Sequence, residues 1–161
     1  MKPTVYIETT IPSYLAARLS TNIITAGQQI LTHEWWEQER QKYRLYVSQA
    51  VLDECGGGNA EQAKKRLTLI RTFSLLPIND AVAELSAGYM NLLGIPPSSA
   101  MDAIHLAVSV VHRIDYLLTW NCRHLAHGET RMKLHRHNTT NGLHEPIIVT
   151  PQELEGRYDV S

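Results

Sequence analysis

Five short apolar runs, rich in β-branched and aromatic residues, punctuate this chain, and between them lie longer stretches whose apolar residues recur at helical spacing. The runs are Thr4 to Thr9, Leu45 to Ser48, Phe73 to Ile78, Asp115 to Trp120 and Ile147 to Val149. Strand-length runs alternating with helical stretches describe βαβ units. Runs too continuously apolar for a half-wet sheet belong to strands covered on both faces. The expected fold class is therefore α/β, with helices on both sides of a mainly parallel central sheet.

The helical stretches carry their own start and stop signals. Thr21 or Asn22 can cap a helix reaching about Arg40, with Ile23, Ile24, Ile30, Leu31 and Trp35 at its apolar positions. Ala50 to Cys55 reads as a short helix ended by Gly56-Gly57-Gly58, and Asn59 opens the next, which runs through Leu67 and Ile70. Asn79 caps a helix bearing Val82, Leu85, Tyr89 and Leu92, and Gly94-Ile95-Pro96-Pro97 ends it. Ser99, with Asp102 three residues on, opens a helix with Ile104, Ala107, Val108 and Val111 on a buried stripe. Thr150-Pro151-Gln152-Glu153 has the cap, first-position proline and acid of a final helix. The polar stretch from His124 to Glu145 fits no element and reads as a surface loop with some helix at its start.

A length of 161 residues suits one domain, 1–161, with a real core. The formal net charge of −1 means that a nucleic-acid partner has to be held by a local basic patch rather than by the field of the whole protein. Lys64-Lys65-Arg66 with Arg71, and Arg131, Lys133 and Arg136, are two such groups, although clusters of this kind are more often solvated faces. Cys55 and Cys122 are too few for a disulfide framework and read as reduced thiols. No apolar stretch is long enough to cross a bilayer, and Met1-Lys2-Pro3-Thr4 runs straight into a strand pattern rather than a secretory leader. A cytoplasmic location away from membranes is the expectation.

Four acids or amides, Glu8, Glu54, Asp102 and Asn121, stand where a strand ends or a helix lies beside a strand end. Open parallel sheets gather ligand-binding groups along that edge. Singly, each has a plain structural explanation: Asp102 as a helix-start acid, Asn121 as a cap for the segment from Cys122, Glu54 as a solvated last-turn residue, Glu8 as an exposed strand end. Of the neighbours Asp53 and Glu54, only one can face a given site. Taken together they change the reading, because Glu8 and Asn121 become neighbours if their strands are adjacent at the switch point of the sheet. Carboxylates packed together repel, and a divalent cation removes that penalty. An oxygen ligand set, with no His or Cys positioned to select zinc or copper, favours Mg2+ or Mn2+. Such an ion lowers the pKa of bound water and stabilises charge on phosphoryl oxygens.

These residues carry a resemblance. Val5-Tyr6-Ile7-Glu8-Thr9-Thr10, Ser48-Gln49-Ala50-Val51-Leu52-Asp53-Glu54, Asp102-Ala103-Ile104-His105-Leu106-Ala107 and Leu117-Leu118-Thr119-Trp120-Asn121 appear in the order and spacing of the PIN-domain ribonucleases. The chain resembles in particular the VapC-like toxins of type II toxin-antitoxin pairs, over nearly its whole length. The resemblance implies a PIN-like three-layer α/β/α fold and cleavage of RNA that depends on magnesium or manganese. It also implies a cognate antitoxin as partner, and homodimers are common in the family. By the same resemblance Glu8, Glu54 and Asp102 fall on the metal-ligating acids, and Asn121 on a fourth acidic position of the catalytic set. Thr119 falls on the hydroxyl preceding that position, and Thr9 and Thr10 on the small hydroxyl residues after the first acid, suited to holding a water or orienting Glu8.

Two positions depart from the family pattern. Glu8 is one methylene longer than the usual aspartate, so the metal shifts or the carboxylate folds back. Asn121 is neutral, so the site has one negative charge fewer and metal affinity should fall. The rival readings are a PIN-like binding module with weak or no catalysis, and a partner protein that dimerises through an apolar helix face around Ile23, Ile30 and Leu31.

Other features point elsewhere more weakly. His124, His127, His135, His137 and His144 fit no compact zinc pattern. His105, three residues after Asp102, shares its helix face and reads as a packing residue or one that orients Asp102. Trp120 reads as core, with base stacking as the alternative. Gly56-Gly57-Gly58 lacks the Lys-Ser/Thr ending of a phosphate loop.

Overall fold

The computed structural model describes residues 1–156 and contains five strands and seven α-helices. In chain order these are β1 (Thr4–Ile7), α1 (Thr10–Ala16), α2 (Ile23–Gln38), β2 (Arg44–Ser48), α3 (Gln49–Cys55), α4 (Ala60–Ile70) and β3 (Ser74–Leu76). There follow α5 (Asp80–Leu93), α6 (Ala100–Val111), β4 (Tyr116–Leu118), α7 (Gly128–Thr140) and β5 (Ile147–Val149). The sheet has the order β3-β2-β1-β4-β5, and every pairing is parallel. Val5, Tyr6 and Ile7 of β1 are wholly buried although alternate side chains point to opposite faces, so both faces of the sheet centre are covered.

The chain builds outward from β1 to β2 and β3, then returns to lay β4 on the other side of β1. The switch point thus falls between β1 and β4, the place where such sheets bind ligands. Their register pairs Ile7 with Leu118. A clasp at the far end fixes it: Asp115 Oδ2 accepts from Thr4 N (2.9 Å) and Thr4 Oγ1 (3.1 Å), while Asp115 N donates to Thr4 Oγ1 (2.9 Å). A one-residue slip would send Glu8 and the core residues before it to the wrong faces.

Asn22, Asn59 and Asn79 cap α2, α4 and α5 by accepting from backbone N–H groups in the first turn, as their positions predict. Gly94 ends α5 at φ +64°, a left-handed conformation that glycine adopts without penalty. Arg66 locks the glycine turn after α3 by donating to Cys55 O (3.0 Å) and Gly57 O (2.7 Å), so it is committed to structure.

Four expectations need correction. The buried stripe of α2 is Gln29, Thr32, Trp35 and Trp36, leaving Ile23, Ile24 and Ile30 exposed. The polar members are satisfied there: Gln29 bridges Ser20 N and Arg18 O, and Thr32 donates to Gln28 O and accepts from Trp120 Nε1. The stretch read as a loop contains the 13-residue α7, whose inward positions Thr130, Leu134 and Asn138 lie four apart. Two of those three are polar, which hides the period; Asn138 is nonetheless buried and accepts from Tyr89 Oη at 2.6 Å. Ser99 makes no side-chain cap on α6. At Thr150 the reciprocal bonds with Glu153 do form, but residues 151–155 remain a turn rather than a helix.

Candidate functional site

The switch point sets Glu8 beside Thr119. Beyond the strand ends the ladder continues, with Glu8 N donating to Leu118 O (3.1 Å) and Thr119 N to Val149 O (3.0 Å). Glu8 is almost wholly buried. Its carboxylate folds back onto its own chain, where Oε1 accepts from Thr10 N at 3.1 Å and from the Thr10 hydroxyl. The extra methylene of Glu8 is absorbed in this way. Oε1 also accepts from Thr119 Oγ1 at 2.7 Å. Both threonine oxygens are themselves acceptors, Thr10 from Trp120 N (2.8 Å) and Thr119 from Asn121 N (2.9 Å). With an oxygen lone pair so engaged, each hydroxyl proton is directed at Glu8. All of these bonds fall on Oε1, which leaves Oε2 for a ligand.

Glu54 arrives from α3, where the preceding strand β2 ends. Asp53 turns outward and accepts from Gln49 Nε2 at 2.8 Å, so Glu54 is the one that faces the site. Glu54 Oε1 accepts from Thr9 Oγ1 (2.7 Å) and meets His105 Nε2 (2.6 Å). His105, on α6, is completely buried, and its other ring nitrogen lies 2.7 Å from Tyr6 Oη, which in turn lies 2.7 Å from Ser48 Oγ. The chain Ser48–Tyr6–His105–Glu54 works in either charge state. A neutral ring accepts from Tyr6, while a charged ring donates to Tyr6, whose hydroxyl then donates its hydrogen bond to Ser48.

Ligand atoms of Glu8, Glu54 and His105 lie within 4.8 Å of one another. His105 belongs to this group of potential ligands, but its two ring nitrogens are engaged by Glu54 and Tyr6, so it packs against Glu54 rather than orienting Asp102. Burial raises the pKa of Glu8, against the lowering effect of His105 and the threonine bonds. Burial also pushes Glu54 up, but the hydrogen bond and charge of His105, with the Thr9 bond, bring it below its ordinary value. For His105 burial favours the neutral ring, and the bond to Glu54 with the charges of Glu8, Glu54 and Asp102 outweigh it, so its pKa rises. Without a cation, burial and neighbouring charge thus make Glu8 and His105 hold their protons more tightly than usual, while Glu54 gives its proton up more readily.

Asp102, in the first turn of α6, is outside that close group. Its Oδ2 lies 2.7 Å from His124 Nδ1. Asn121 accepts from His124 N at 3.0 Å and so shapes the turn that presents His124. Its side chain serves that turn, and its backbone N–H reaches Glu8 only through Thr119. Trp120 is core: it stacks on Tyr14 at 6.4 Å between ring centroids and donates to Thr32 Oγ1 at 2.7 Å. Cys55 is buried, and burial pushes its thiol up to about 12, so it is a packing residue. Arg131 is occupied by Ile148 O and Glu153, both at 3.1 Å.

Tyr6, Ser48 and His124 are the site neighbours that sequence reasoning missed. Tyr6 had a legible signal, since it lies two residues before Glu8 and so on the same face of the strand. Ser48 and His124 meet the site only through the tertiary fold.

This arrangement defines a three-layer α/β/α domain of PIN-like fold, with acids gathered at the switch point of a parallel sheet. No protein-family model matches the sequence, and no curated protein matches it. Among solved structures, a chain in the crystal structure of VapBC2 from Rickettsia felis, bound to a DNA fragment from their promoter, superposes with a TM-score of 0.57. The identity is 12%, and the match covers 91% of this chain and 98% of that one. The likeness is one of fold. Among the described residues, no helix is long and apolar enough to cross a membrane.

Proposed function

We propose that this chain is a metal-dependent endoribonuclease acting as the toxin of a toxin-antitoxin pair. The observation that carries the reading is the convergence of Glu8, Glu54 and His105 within 4.8 Å at the switch point. The donor set fits a hard or borderline divalent cation, because Glu8 and Glu54 each keep one oxygen free while the other is pinned. Glu8, Glu54 and Asp102 hold Mg2+ or Mn2+ in this reading, the ions that carboxylate oxygens favour. When bound, the ion lowers the pKa of the attacking water and neutralises charge on the phosphoryl oxygens. Thr9, Thr10 and Thr119 hold the two glutamates in place, His105 fixes Glu54, and His124 fixes Asp102. Asn121 serves catalysis by building the turn that carries His124.

The structural neighbour is a VapBC2 assembly on DNA from its own promoter, which supports an antitoxin as partner. Ile23 and Ile24, 85% and 70% exposed on α2, offer an apolar surface for that protein or for a second copy of the chain.

The test is incubation of the purified chain with single-stranded and structured RNA in Mn2+ or Mg2+. Cleavage that disappears in Glu54→Gln and Asp102→Asn is expected. A sample that cleaves no RNA with either ion overturns the reading. The second reading, a PIN-like module that binds without cutting, is favoured by the neutral Asn121. Absence of calorimetric heat with millimolar Mn2+ would select it.

A further inference from the structure

Beside the acidic site lies a cleft of about 270 Å³ at the start of α7. Its lining includes the apolar Leu93 and Ile95 and the basic Arg123, His127 and Lys133. His124 lines the cleft too, and its ring is the one that meets Asp102 at 2.7 Å, so the cleft and the acidic site share a boundary. We propose that this cleft is a nucleotide subsite for single-stranded RNA, with Arg123, His127 and Lys133 holding a backbone phosphate and Leu93 and Ile95 taking the base or sugar.

The donors are arranged for an anion. Among the described residues Arg123 has no hydrogen-bond or ion-pair partner, and it is exposed. His127 Nδ1 accepts from Glu129 N at 3.2 Å, which leaves Nε2 as the ring's donor. Lys133 is held 2.8 Å from Glu129, the one carboxylate among the lining residues. That pair is at the surface, and exposed pairs of this kind are weak enough for a phosphate to displace. The apolar lining residues distinguish the cleft from a simple phosphate pocket, because single-stranded RNA presents unstacked bases alongside its backbone charge. A cleft of this size takes one nucleotide of a strand, not a helix. The basic patch that a chain of formal net charge −1 needs for nucleic acid is thus local and adjoins the acids.

The subsite deepens the ribonuclease reading, so its test separates the two. Binding of a short fluorescent single-stranded RNA to the full chain is measured in EDTA, where metal-dependent cleavage is absent. Arg123→Ala and His127→Ala are expected to weaken binding roughly three- to tenfold, and Arg123→Ala to lower the slope of log K against log salt by about 0.7. Arg123→Lys should restore most of the affinity, and Lys64→Ala should leave it unchanged. Unaltered thermal midpoints show that the exposed variants fold. Wild-type RNA affinity in both alanine variants overturns the subsite, as does binding of inorganic phosphate with no measurable RNA affinity. If the variants lose RNA binding and the wild-type protein cuts nothing with Mn2+ or Mg2+, the subsite stands and the nuclease reading falls. If cleavage occurs with unchanged KM in Arg123→Ala, the nuclease reading stands and the subsite falls.

Discussion

His105 Nε2 and Glu54 Oε1 lie 2.6 Å apart and join α6 to α3 beneath the switch point. The imidazole is itself held from behind by Tyr6 Oη, so removing the tyrosine hydroxyl leaves His105 Nδ1 and Ser48 Oγ without that partner in a wholly buried place. Tyr6→Phe should therefore cost about 1–3 kcal/mol in urea unfolding, the penalty of orphaned buried polar groups, with an unchanged m value. A variant as stable as wild type would show that the hydrogen-bond chain carries no free energy.

Thr119 makes a prediction that is read on function as well as on folding. Its hydroxyl donates to Glu8 Oε1 at 2.7 Å while accepting from Asn121 N. Thr119→Val keeps the shape but removes both the donor to Glu8 and the acceptor of Asn121 N, so some folding stability is lost with it. Partners that orient a ligand are worth roughly ten- to hundredfold in metal affinity. Calorimetric titration with Mn2+ should show a loss in that range, and an unchanged affinity would remove Thr119 from the site.

Much of this site was legible in the chain because strand ends are local. Glu8 and Thr119 stand at the ends of short apolar runs, and the ladder of five parallel strands brings them together. His105 was underread because its partner is 51 positions away, and sequence spacing showed only Asp102 on its helix face. The helix α7 was missed because burial there is polar, with Asn138 inside and Met132 outside, which inverts the usual hydrophobic period. On α2 the isoleucines mark the helical period but face outward, while Gln29 and Thr32 occupy the core through satisfied hydrogen bonds that apolar spacing does not reveal.

The protonation pattern predicts how stability depends on pH in EDTA. His105 is raised above its ordinary 6.5, so its contribution is complete below 6.5 and is lost as pH rises through the folded value. Glu8 is raised above its ordinary 4.5 by burial, so it too favours the folded state less as pH rises. Glu54 is lowered, and its contribution is complete above 4.5 and lost toward acid. Metal-free protein should be most stable between these two ordinary values, with a thermal midpoint that declines from about pH 6 to about pH 8. Glu8→Gln should flatten the decline. A midpoint rising over that interval would contradict an upward shift of His105.

Asn121 offers a gain-of-function test. Its side-chain oxygen accepts from His124 N at 3.0 Å, a role that an aspartate of the same length also fills. Asn121→Asp thus keeps the turn that presents His124 and adds one negative charge near Glu8, Glu54 and Asp102. Ligand charge tunes the affinity of hard-cation sites, so Mn2+ binding should tighten by roughly tenfold, about 1.4 kcal/mol. In the metal-free protein the same change should destabilise, because the added carboxylate has no new cation to offset it. Calorimetry with Mn2+ and thermal unfolding in EDTA read the two effects separately. Tighter binding together with a lower metal-free midpoint is the expected pair. An unchanged Mn2+ affinity would mean that position 121 lies beyond the electrostatic reach of the ion and serves only the turn.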